Sequence, residues 1–144
     1  VEPARSPQER KRDTLGRLES DVDAWVATAD SRGDAHMVPL SFRWDGVGMI
    51  VSIPPNSVTA RNFDQGGRVR VGLGELRDVV VIDAAAESID DDASKDAFAQ
   101  LGWDPRDETK DYAYFRLVPD RIQAWRESNE LSGRTLMRDG VWLL

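Results

Sequence analysis

The chain has no cysteine and only one histidine, His36, and these shortages remove several chemistries before any pattern is read. Without thiols there is no disulfide, no thiolate metal site and no cysteine nucleophile, which fits a reducing cytoplasm. One imidazole cannot build a multi-histidine metal centre, and a Ser-His-Asp triad would have to rest on it alone. No apolar run approaches the roughly 18 residues of a membrane span and no secretory signal pattern opens the chain, so a soluble, unexported, cytoplasmic protein is expected. Val1 in place of Met suggests a processed start. Dense basic clusters are missing too. Arg5, Arg10, Lys11 and Arg12, and then Arg68, Arg70 and Arg77, come nearest, and they are too sparse for a nucleic-acid face. There is no internal repeat and no low-complexity tract.

What is present is a chain of 144 residues, 40% hydrophobic, with a formal net charge of −7. That is the size of one domain with a real core, expected to span 1–144. The acidity is local. Ten acidic and three basic residues lie between Asp83 and Asp111, and sixteen of each sign lie elsewhere, so the net charge does not bar an anionic ligand from the remainder of the surface.

Ser6-Pro7-Gln8-Glu9 has the form of a capping box with proline at the first helical position, opening a polar helix to about Leu18. Leu15 and Leu18 are its apolar anchors, so a narrow stripe is expected against a sheet. Ala24 to Ala29 reads as a strand, Asp30 to Asp34 as a hairpin loop, and Ala35 to Trp44 as the returning strand. Asp45-Gly46 reads as a two-residue type I′ turn into an apolar strand from Gly48 to Ile53. Val69 to Leu73 and Asp78 to Ala86 follow. Val79-Val80-Val81-Ile82 is apolar on both faces, which suggests a closed barrel or a dimer seam. Residues 90–111 form an acidic helical insertion, with Asp91 or Asp92 as cap and an irregular link from Trp103. Tyr112 to Val118 and Ile122 to Arg126 read as strand with a kink at Pro119-Asp120, and Asp139-Gly140 turns a last hairpin. Many short strands with two or three minor helices predict a mainly β, antiparallel barrel.

Pro54-Pro55-Asn56 ends a strand, and Ser57 caps a short helix over roughly 57–65. Spacing alone reads as a surface helix with a cap and one solvated arginine; its free N–H groups and positive dipole end would also suit a phosphate, with Ser57, Thr59, Arg61 and Asn62 as added donors.

Taken in order, these pieces resemble the FMN-binding split β-barrel family, which includes pyridoxamine-phosphate oxidases and deazaflavin-dependent reductases of actinobacteria. The motifs that carry the resemblance are Gly33-Asp34-Ala35-His36-Met37-Val38-Pro39-Leu40, Pro55 to Asn62, and Pro119-Asp120-Arg121-Ile122-Gln123-Ala124-Trp125. The resemblance implies a homodimeric split barrel with two equivalent cofactor sites at the seam. It implies that Val38, Pro39, Leu40 and Ser41 line the cofactor ring and that Ser57, Thr59, Arg61 and Asn62 hold the phosphate. Arg77 and Asp78 would approach from the partner subunit, Trp125 would flank the ring, and Arg134 and Arg138 would lie near the open face where substrate binds. Two departures matter. Thr59 stands where the family usually has Lys, and Leu136 stands where the pyridoxamine-phosphate oxidases carry a substrate-binding His between arginines. The second argues against vitamin B6 chemistry. With Arg61-Asn62 and Trp125-Arg126-Glu127, the chain more closely resembles the reductases that use coenzyme F420. The implied reaction is hydride transfer to an unsaturated or quinone-like small molecule, with FMN as the alternative cofactor.

Plainer readings stand beside these. By alternation His36 shares a face with Val38, Leu40 and Phe42, as a half-buried structural histidine would. Asp90, Asp91 and Asp92 are explained by a helix N-terminus. Trp25, Trp44 and Trp142 read as core or dimer seam, and Arg68 and Arg70 as either a groove for an acidic tail or an exposed edge. A non-catalytic carrier of flavin, haem or tetrapyrrole is the second class of function, favoured by Thr59. A nucleic-acid module of OB type is the third, disfavoured by charge.

Overall fold

A computed structural model describes all residues, 1–144. The elements are α1 (Pro7–Ser20), β1 (Asp23–Ala29), β2 (Ala35–Ser41), β3 (Arg43–Trp44), β4 (Met49–Ile53), α2 (Val58–Asp64), β5 (Val69–Glu75), β6 (Asp78–Ile89), α3 (Asp92–Ala99), β7 (Ala113–Trp125), β8 (Thr135–Arg138) and β9 (Val141–Trp142), with single 3-10 turns at Pro105–Asp107 and Ser128–Glu130. The strands form one antiparallel sheet in the order β2-β1-β5-β6-β7-β4-β3, and β8 and β9 extend from the far half of β7. The sheet curls into a half-barrel without closing. The long strand β7 pairs with β6 along most of its length, with β4 near its start and with β8 near its end, and that divergence splits the sheet.

The helix caps lie where the sequence places them, because a cap is decided by residues three apart. The Ser6 hydroxyl accepts from Glu9 N at 3.1 Å, Ser57 from Ala60 N at 3.2 Å and Asp91 from Ser94 N at 2.9 Å. Each satisfies one of the orphan donors of a first turn. The Asp139-Gly140 hairpin is also as read, with φ of 54° and 77° at the two turn positions, both signs that a type I′ turn requires.

Three expectations need correction. The Asp45-Gly46 turn is a four-residue loop, since Trp44 pairs with Met49 and only Gly46 in it has positive φ. Oδ1 of Asp45 accepts from the N–H groups of Val47 and Gly48, a local turn that competes with the tight hairpin. Gly48 then packs so closely that an added Cβ would lie 2.7 Å from the Leu117 carbonyl oxygen. The strand from Ala35 breaks at Phe42, which is 1% exposed and donates its N–H to the Val22 carbonyl at 2.8 Å. The kink read at Pro119-Asp120 is present, within one continuous strand. Ala84 pairs with Pro119 and Asp83 with Arg121, so Asp120 is a β-bulge in continuous β7. On α1, finally, the buried row is Arg10, Thr14 and Leu18, while Leu15 is half-buried.

A cluster of 21 buried apolar side chains fills the concave side, drawn from α1, the segment before β3, α2 and most strands. Val80 and Ile82 face it while Val79 and Val81 are half-buried on the convex side. A smaller cluster of Ile50, Phe98 and Tyr114 seats α3 against β4 and β7. No helix is long and apolar enough to cross a membrane.

Candidate functional site

The residues singled out by sequence fall into two groups at different places on the chain. The first lies where β2 meets α2. A cleft of about 370 Å3 there is lined by Asp30, Asp34, Ala35, His36, Val58, Arg61, Asn62 and Gln65. Since β2 pairs only with β1, its other backbone edge is left with unpaired N–H and C=O groups that can meet the edge of a ligand ring. Along β2, His36, Val38 and Leu40 are half-buried, whereas Met37 and Pro39 are exposed. The four residues Val38 to Ser41 therefore present two faces and not one lining. The Ser41 hydroxyl donates to Asp23 Oδ1 at 2.7 Å.

On α2 the donor set expected for a phosphate is only partly turned outward. Arg61 is exposed, but Thr59 and Asn62 are 3% and 4% exposed. The side-chain amide of Asn62 donates to the Thr28 hydroxyl at 2.9 Å. Helical phase is the reason. Thr59, Asn62 and Phe63 are spaced i, i+3, i+4, and Phe63 must face the core, where it meets Phe115 edge-on with ring centroids 4.9 Å apart. With only seven residues the helix has a weak macrodipole, so Arg61 is the main feature there for an anion. Asp30, which shares the cleft, is tied into its own loop by the N–H groups of Arg32 and Asp34 at 2.8 and 3.0 Å.

The second group gathers where β7 passes into β8. Arg134 stacks on the Trp125 ring, with its guanidinium carbon 5.2 Å from the centroid. Beside this pair a cleft of about 630 Å3 is lined by Gln123, Leu131, Ser132, Gly133, Arg134, Thr135, Arg138 and Leu143, with no carboxylate among them. Arg77 is exposed and pairs with Glu127 at 3.0 Å. Asp78 lies within 3.3 Å of both Arg17 and Arg126, so both residues expected to reach a partner's cofactor are engaged in their own chain. None of the main clefts is lined by residues of both groups.

Between the two groups runs the convex face of the sheet. The pairing registers place Pro39, Trp25, Gly72, Val81 and Gln123 in one row across five strands. Trp25 is 52% and Met37 59% exposed, an apolar face without cover. The next row is charged: Asp83, 8% exposed, accepts from Arg70 at 2.7 Å and Arg121 at 2.9 Å. Leu136, at the position of the missing histidine, is 4% exposed and belongs to the core. Sequence reasoning missed Arg5 and Arg10, which pack against the turn after Trp125, Arg10 buried and Arg5 half-buried, and are not part of a basic patch. Apart from Asp13, which pairs with Arg5 at 3.1 Å, and the Arg5 carbonyl, which accepts from Arg10, the hydrogen-bond partners of their side chains lie more than a hundred residues away, and no local pattern announces those.

A curled antiparallel sheet split along one long strand, with a short capped helix after its fourth strand, defines a split-barrel protein. Residues 17–136 match the family model described as pyridoxamine 5'-phosphate oxidase, and the chain belongs to that family. No curated protein sequence matches it significantly. Among solved structures it resembles a putative pyridoxamine 5'-phosphate oxidase from Listeria innocua, at 15% identity and a TM-score of 0.67 over 83% of this chain and 98% of that one. It also resembles an FAD-binding protein from Mesorhizobium loti, at 19% identity and 0.65 over 78% and 89%, and the haem storage protein HutZ from Vibrio cholerae, at 19% and 0.63 over 80% and 94%. At these identities the likeness is one of fold.

Proposed function

We propose that the protein is an oxidoreductase that holds a flavin-type cofactor at a seam between two copies of the chain, with coenzyme F420 as the cofactor and FMN as the alternative. The observation that carries this reading is the division of the candidate residues into two half-sites, joined by the exposed apolar row from Pro39 through Trp25 to Val81. A second copy covering that row brings the β2 and α2 half-site of one chain to the Trp125 half-site of the other.

The residues present fit such a cofactor in part. The free edge of β2 suits the polar rim of the ring, Arg61 suits a phosphate, and the Arg134–Trp125 stack offers a flat apolar wall with a fixed cation. Thr59 and Asn62, turned inward, would not touch the phosphate. When bound, a deazaflavin supplies a hydride and reacts poorly with oxygen, which makes an unsaturated or quinone-like small molecule the substrate class. The chain's own part is to orient the ring, to exclude water at the seam and to receive an anionic group at Arg134 and Arg138. Because Leu136 packs in the core, no imidazole stands between those arginines, which supports a substrate other than a B6 phosphate. The carrier reading has less support where haem is concerned, since a porphyrin needs an apolar slot and the cleft beside the one histidine is small and polar.

The test is titration of the purified protein with F420 and with FMN, followed by anaerobic mixing of the reduced complex with a quinone. Saturable F420 binding with quinone-dependent oxidation supports the reading, and FMN binding alone moves it to the alternative. Binding of neither, or a Soret band on adding haemin with no flavin affinity, overturns it.

A further inference from the structure

Two arginines from the N-terminal segment, Arg5 half-buried and Arg10 buried, pack against the turn that follows Trp125. Arg5 donates through its backbone N, Nε and Nη2 to the Glu130 carboxylate at 2.9, 3.0 and 2.8 Å. That carboxylate, on a residue 2% exposed, also accepts from Arg126 N at 2.8 Å. Arg10 is 3% exposed. Its Nη1 donates to the carbonyls of Glu130 and Gly133 at 3.1 Å and of Ala124 at 3.4 Å, and its Nη2 to that of Arg5 at 3.4 Å.

The carbonyl partners are what give this arrangement a role beyond stability. The carbonyl of Ala124 shares a peptide plane with the N–H of Trp125, and the carbonyl of Gly133 shares one with the N–H of Arg134. One guanidinium group thus grips both peptide planes from which the stacked pair springs. Burying a cation without a carboxylate of its own is costly, and its Nε has no partner; an apolar side chain of similar volume would fill the space more cheaply. A planar fork, however, fixes direction in a way that an apolar contact does not.

We propose that Arg10, backed by the Arg5–Glu130 lock, is the positioning residue for the Trp125–Arg134 stack, so that the N-terminal segment straps the ring-flanking turn into its binding geometry. This rests on the cofactor reading only for its consequence in binding; the strap itself is a property of the chain without ligand.

Two measurements test it on Arg10→Met, with Arg5→Ala as a second variant at the outer end of the strap should the first fail to fold, and Arg10→Lys as the conservative rescue. In the ligand-free protein, amide exchange at residues 125–134 is expected to quicken by about tenfold or more while residues 80–84 in β6 change by less than about twofold. In a double-mutant cycle with FMN and with F420 as probes, Arg10→Met is expected to weaken binding by about tenfold, to do so no further in a Trp125→Ala background, and to be partly restored by Lys. Unaltered exchange, equal quickening throughout the chain, or additive losses with Trp125→Ala would each overturn the proposal. If the wild type binds neither probe the cofactor reading fails, and the exchange pattern alone decides the strap.

Discussion

Asn62 and Thr28 are joined through their side chains at 2.9 Å in a buried hydrogen bond that ties α2 to β1. The amide is therefore committed to the fold. Replacing Asn62 by Ala leaves the Thr28 hydroxyl, itself 6% exposed, without its donor, and a loss of about 1–3 kcal/mol in denaturant unfolding is expected. Adding Thr28→Val should recover part of that loss. A fall in FMN or F420 affinity with an unchanged unfolding midpoint would instead return Asn62 to the phosphate set.

Arg61 behaves differently, being the exposed cation of the same helix. Arg61→Ala is expected to leave stability within about 0.5 kcal/mol. It should weaken cofactor binding by roughly ten- to a hundredfold, the equivalent of one charge-assisted hydrogen bond of about 1.5–3 kcal/mol. Thr59→Lys, by contrast, sets an ammonium group at a site 3% exposed. It should lower the unfolding midpoint unless the side chain snorkels to the cleft. Affinities at two ionic strengths beside the midpoints separate the outcomes, since a new phosphate contact weakens with salt.

What the sequence made legible was local. Caps at Ser6, Ser57 and Asp91 and the Asp139-Gly140 turn depend on a few adjacent residues, and each lies where their chemistry puts it. Asp45-Gly46 misleads because the same aspartate can bond two N–H groups of its own loop, an option that spacing does not reveal. The inward turn of Thr59 and Asn62 was readable in principle: both share a helical face with Phe63, which has to be buried. Arg5 and Arg10 were not readable, for a charged residue on a polar helix reads as solvated until the turn around Glu130 is folded against it. Of the candidate site, local pattern places each half, and only tertiary structure shows that one chain keeps the halves apart.

That separation makes association testable. Trp25 is the large exposed side chain of the apolar row, between Pro39 on β2 and Gly72 on β5. If a second copy covers it, Trp25→Glu buries a like charge from each subunit and forfeits the burial of an indole. The cost is about 2–3 kcal/mol per copy or more, enough to weaken a dimer by at least a hundredfold. Sedimentation should show wild-type dimer and variant monomer at micromolar concentration, with cofactor binding lost alongside. A monomeric wild type would remove the seam.

Acid should erode the contribution of the strap to stability. Hydrogen bonds from Arg5 hold the Glu130 carboxyl at about 2, against burial that would raise it and below its ordinary 4.5; the same contact lifts Arg5 above its ordinary value, so Arg5 stays charged throughout. Because the folded state binds this proton less readily than the unfolded one, the contribution is complete above about pH 4.5 and is lost as pH falls toward 2. Its size is on the order of 3 kcal/mol. Other carboxylates add to the slope. Burial would raise Asp45 and Asp83, yet both are held low, Asp45 by the N–H groups of Gly48 and Val47 and by Arg116, and Asp83 by Arg70 and Arg121. Glu130→Gln isolates the share in question. It should be less stable than wild type at pH 7, where the charged fork is missing, and should lose less stability between pH 5 and pH 2.5. Urea unfolding of both proteins at those pH values measures the difference, and parallel acid slopes would show that Glu130 does not carry the assigned share.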